Sequence, residues 1–129
     1  MTVADRTEDH QARCVPHLVR LRMLARTEAD APLPWLVADE VIQATEAILA
    51  EAEAAGREAT TAAEVGLDTA MFLGARLTRL ASAASDAVAA AWMGDFAQLR
   101  RHLARFDTLT SAIWTVQKAW SRPDPGGSS

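Results

Sequence analysis

Near the N-terminus, His10, Cys14 and His17 stand four and three residues apart, so a helix would carry imidazole, thiol and imidazole on one face. Zinc takes such donors readily. No fourth ligand stands nearby, and Pro16 is expected to break or bend the helix that would align the three. No metal or cofactor is therefore assigned. His102 follows Asp95 by two helical turns and falls between Leu99 and Phe106 on an apolar arc, where an imidazole is a candidate switch or base.

Other chemistries are excluded by what is missing. No glutamate stands three residues before any histidine, which removes the di-iron bundle motif. Ser82, Ser85 and Ser111 have no histidine at a suggestive spacing. Gly56, Gly66, Gly74 and Gly94 are scattered singly, and the only pair is Gly126-Gly127, so no phosphate-cradling loop forms. With no catalytic residue to assign, the expectation is a protein that is not an enzyme.

The elements that position these residues follow from composition and periodicity. The 129 residues suit one domain, and 50% of them are hydrophobic against 23% charged, enough for one core. The net charge of −4 provides no global field for nucleic acid. The lone Cys14 forms no internal disulfide. Acids occupy the first ten residues where an export signal needs an apolar run, and the most apolar stretch, Ala87 to Met93, is far too short to span a bilayer. A cytoplasmic location and no membrane partner are expected. Twenty-eight alanines, and twelve arginines against the single Lys118, suggest a GC-rich, bacterial coding genome.

Apolar residues recur with helical spacing four times, and no alternating run is long enough for a strand. The fold expected is an all-α antiparallel four-helix bundle, with a short or irregular first helix and three longer ones. Residues 1–14 are read as a flexible segment, 15–120 as the bundle and 121–129 as a disordered tail. The first helix is expected from Pro16 to Ala29. The second is expected from Trp35 to Ala55, stopped by Gly56. The third would begin at a Thr61–Glu64 capping box and run to Met93, with Asp68 as a rival start. Gly94-Asp95 is the sharpest punctuation, ending that helix and capping the fourth, from Phe96 to Trp120. The stretch Ala31 to Thr61 has a balance of −5, and Gly94 to the end +2, so acidic helix two and basic helix four are suited to be neighbours.

Three functional readings follow. Met71 and Phe72 fall off the core stripe of helix three, close to Arg76 and Arg79, and these are residue types enriched in contact surfaces. At 1.5 Å per residue helix three would reach about 48 Å against about 32 Å for helix two, an overhang that asks for cover. The first reading is thus a non-enzymatic interaction module, a homodimer formed through the outer face of helix three. The second is a bundle binding a small apolar molecule in a pocket walled by Trp35, Trp92 and Trp114, with His102 nearby. The third starts from Thr61–Leu80, which resembles part of a helix-turn-helix, with Gly66-Leu-Asp68 as the turn and Arg76 and Arg79 on the reading helix. That resemblance implies a DNA-associated regulator.

Overall fold

In the computed structural model, residues 3–26, 33–63 and 67–121 are described. They form α1 (Val3–Leu24), α2 (Pro34–Ala63), α3 (Leu67–Trp92) and α4 (Phe96–Ser121). Each helix runs antiparallel to the one before it, and the four make an antiparallel four-helix bundle. α1 packs on α2, α2 on α3, α3 on α4 and α4 back on α1, while α2 also meets α4 across one diagonal. No described helix is long and apolar enough to cross a membrane.

The turn at Gly94-Asp95 has the expected chemistry. Gly94 takes φ of +69°, a left-handed conformation that costs other residues more. The Gly94 amide donates to the Ala91 carbonyl at 3.1 Å and the Asp95 amide to Ala90 at 3.0 Å, the paired bonds of a Schellman ending. The Asp95 carboxylate then accepts from the Gln98 amide at 3.1 Å, capping α4.

Other boundaries depart from the sequence reading. Residues 3–14, expected to be flexible, are the first half of α1, so the first helix is neither short nor confined to residues after Pro16. Its inward positions there are Thr7, His10 and Cys14, all buried, which continue the spacing of Leu21 and Leu24 without aliphatic side chains. Pro16 sits inside the helix on its exposed side. Gly56 does not end α2, which runs on through Thr61, so the proposed Thr61–Glu64 box is not a helix start. A β-carbon at Gly56 would lie 2.9 Å from Leu73 Cδ2 and 3.2 Å from Gln117 Nε2, so glycine is there because α3 and α4 press on it. Gly74 does not interrupt α3. Gly66, Glu64 and residues 122–129 lie outside the described residues.

Since α2 has 30 residues and α3 has 26, the expected overhang of α3 is gone. The core matches small faces to large ones. α2 and α3 bury alanines, among them Ala44, Ala52, Ala55, Ala83, Ala87 and Ala91, and α4 supplies Leu99, Leu103, Phe106, Ile113 and Trp114. Buried Thr45 and Thr110 donate to the carbonyls of Val41 and Phe106 in their own helices, at 2.7 and 2.8 Å.

Two glycines of one helical type then diverge. Gly56→Leu is expected to lower unfolding free energy by about 1–3 kcal/mol, through overpacking against Leu73. Nothing lies within 4 Å of a β-carbon built on Gly74, so Gly74→Ala is expected to raise it by roughly 0.5–1 kcal/mol. Urea unfolding of the two variants beside the parent measures both signs.

Candidate functional site

The N-terminal constellation keeps to the inward face of the continuous α1. His10 and Cys14 are buried and His17 is half-buried on α1, but His10 turns to α2 for its partners. Its Nδ1 meets Glu51 Oε2 at 2.5 Å and its Nε2 meets Glu58 Oε2 at 3.3 Å. Glu51 and Glu58 are seven residues apart, two turns of one helix face, which leaves a gap the width of an imidazole. Arg13 donates to Glu51 from the solvent side at 3.3 Å. The hydrogen bond from His10 holds the Glu51 carboxyl below its ordinary pKa of 4.5, against the opposing effect of burial, with the charges of His10 and Arg13 helping. Among the described residues, no three His, Cys, Asp or Glu side chains are grouped to hold a metal ion.

Cys14 is fully buried and unbridged. Burial, with the Glu51 charge adding, raises its thiol to a pKa of about 11. A thiol so placed is a core side chain, since the thiolate is the nucleophile and the metal ligand.

The tryptophan-walled pocket is not assembled. Trp114 is buried in the core, His102 is half-buried on α4, and Trp35 and Trp92 are 51% and 57% exposed. With α2 stopped at Gly56, folding the chain back would set Trp35 level with residues 81–86. It lies instead at the end of the bundle where Pro34 Cγ comes within 3.6 Å of a β-carbon at Gly94. The extra eight residues of α2 beyond Ala55 shift the register by two turns.

What the structure does assemble is a long apolar groove along the outer boundary of α2 and α3. Two clefts, of about 460 and 570 Å³, follow one another there and share Ala81. Gly74, Leu77 and Thr78 line one end; Ile42, Leu49, Val88 and Trp92 line the other. From Gly74 to Trp92 the groove runs about 27 Å at 1.5 Å per residue. Glu46, Glu53 and Arg57 stand on its α2 rim. Trp35, His102 and Trp114 line neither cleft.

On α3, Met71, Phe72 and Arg79 are exposed and Arg76 is half-buried. The Arg76 guanidinium lies over the Phe72 ring at 4.6 Å from its centroid, a cation–π contact that covers one face of the ring. Phe72 is half a turn around the helix from the groove-lining Ala81, so the Phe72–Arg76 stack faces away from the groove. The helix-turn-helix-like stretch spans the last turn of α2 and the first half of α3, which pack antiparallel along their length.

The fold and this surface define a class: a small four-helix bundle whose accessible chemistry is an apolar helix–helix groove with charged edges. No family model, curated protein or solved structure matches the chain.

Two measurements test the polar end. Glu51 has a lower pKa folded than unfolded, so its contribution to stability is present above about pH 4.5 and is lost as pH falls through the depressed value. Thermal melts from pH 6 downward are expected to show that acid loss, and His10→Phe to flatten it. Iodoacetamide is expected to leave Cys14 unmodified at pH 8 in the native protein and to label it promptly in denaturant.

Proposed function

We propose that this protein is a non-enzymatic interaction module that pairs with a second copy of itself through α3 and the groove α3 shares with α2. The observation that carries the reading is the size gradient along that groove. Trp92, 57% exposed, projects at one end. Gly74, with open space where a side chain would be, marks the other.

A two-fold pair is self-complementary: if residue i of one copy meets j of the other, then j meets i. Laying α3 of one copy antiparallel on α3 of the other sets each Trp92 over a Gly74. Ala81, Ala84 and Ser85 flank the midpoint, where small side chains let the two helices approach. Met71 extends the contact at the Gly74 end, and the Phe72–Arg76 stack lies on the other side of α3, outside it. Exposed aromatic and methionine side chains in line with arginine have the composition of an interface core and its rim.

Sedimentation equilibrium tests the proposal. A dimer is expected at micromolar concentration. Trp92→Glu and Gly74→Leu are each expected to yield monomers with the parent's helical circular dichroism, and Phe72→Glu to weaken pairing less than either. A parent protein that stays monomeric at high micromolar concentration removes the reading.

A further inference from the structure

The flank of α3 away from that groove faces α4 and carries a different chemistry. Phe72, Arg76 and Arg79 lie on it, across the helix from the groove-lining Ala81. On α4, Arg100, Ala104 and Asp107 line a cleft against α1. That leaves Arg105 and Leu109 on the flank toward α3, with Arg101 one turn before Arg105. Asp107 is the one acid of α4, and Arg22 of α1 takes it up in a bidentate pair at 3.1 and 3.2 Å.

Among the described residues, none of Arg76, Arg79, Arg101 and Arg105 makes an ion pair. Arg79, Arg101 and Arg105 are exposed. Arg76 is anchored by its stack on Phe72, and its Nε is buried without a hydrogen-bond partner. The exposed Asp86 stands beside the row, which leaves four bases against one acid, +3, on a chain of net charge −4. The register follows from the Gly94-Asp95 turn and from Leu73 and Gln117 meeting at Gly56. It sets Arg105 level with about residue 84 of α3 and Arg101 with about residue 88. The four guanidinium groups thus recur about once per helical turn, over about 18 Å at 1.5 Å per residue.

We propose that the α3–α4 seam docks an acidic amphipathic helix of a partner protein. Its carboxylates lie along the arginine row, and its apolar positions rest on the half-buried Leu109 and Ala112. The spacing selects a helix, because carboxylates three and four residues apart rise at the same interval along one face. Each guanidinium offers a planar fork of donors that matches a carboxylate. Length selects a peptide over nucleic acid. The row ends after about three turns, and a longer polyanion would run on past α2, which holds six acids and one base.

The test is a nuclear magnetic resonance titration of ¹⁵N-labelled protein with a synthetic helical peptide, glutamates at i, i+4, i+7 and i+11 and leucines beside them. The acidic peptide is expected to shift amides between Phe72 and Asp86 and between Arg101 and Ala112. Its all-glutamine version should bind at least tenfold more weakly, and its all-lysine version should not bind. Arg79→Glu with Arg105→Glu should weaken the acidic peptide about tenfold or more while the helical signal is kept. Arg57→Glu, on the rim of the α2–α3 groove, should bind as the parent does. Trp92→Glu should also bind as the parent, so this surface and self-pairing fail separately. The proposal is overturned if the acidic peptide at millimolar concentration leaves those amides unmoved. It fails equally if the glutamine peptide binds as well, if the double variant keeps the parent's affinity, or if a single-stranded or duplex DNA of the same length binds more tightly than the peptide.

Discussion

The structure depends on how closely α2 and α3 approach. Gly56 has no room for a side chain because Leu73 and Gln117 already occupy the space. Alanines repeat along the buried faces of both helices. Small residues bring two helix backbones together but bury little apolar area themselves, so most of the hydrophobic driving force must come from elsewhere. α4 supplies it, with Phe106, Trp114, Leu99 and Ile113 each buried to within 2%. The fully buried Gln117 fixes the arrangement across the diagonal by donating to the Ala52 carbonyl of α2 at 3.0 Å. A buried amide with its partner a full helix away specifies a register in a way that interchangeable aliphatic contacts do not.

The same small residues shape the outside. Ala81, Ser85 and Gly74 on the outer side of α3 continue the composition of its inner face, and the result is a groove where a half-buried helix usually shows long polar side chains. Large apolar groups, Trp92 among them, stand beside that groove and do not fill it. Exposed apolar surface that is contiguous and charge-rimmed carries a different meaning from scattered exposed leucines. The α1–α4 boundary differs in kind: leucines line it, and the bidentate Arg22–Asp107 pair spans it.

At the other end of α1 the interior is polar and its partners come from α2. His10 could be buried there only because Glu51 and Glu58 sit two turns apart on the facing helix. Removing either carboxylate would leave a buried ring nitrogen without its acceptor, which costs more than the net contribution of the bond itself.

The amino-acid sequence by itself determined the helical class, the number of helices, their antiparallel order and the Gly94-Asp95 turn, because periodicity and capping chemistry are local. The second half of α1, most of α2 and all of α4 were legible for the same reason. The first half of α1 was not, since Thr7, His10 and Cys14 are inward residues only when α2 provides acceptors and a wall. Gly56 carried the local signature of a stop, and only contact with Leu73 made it a packing residue. Tertiary structure alone decided which residues form a surface. Trp114 went into the core and Trp35 and Trp92 stayed outside, because side-chain burial depends on the register between helices, and extending α2 by two turns moved every facing pair.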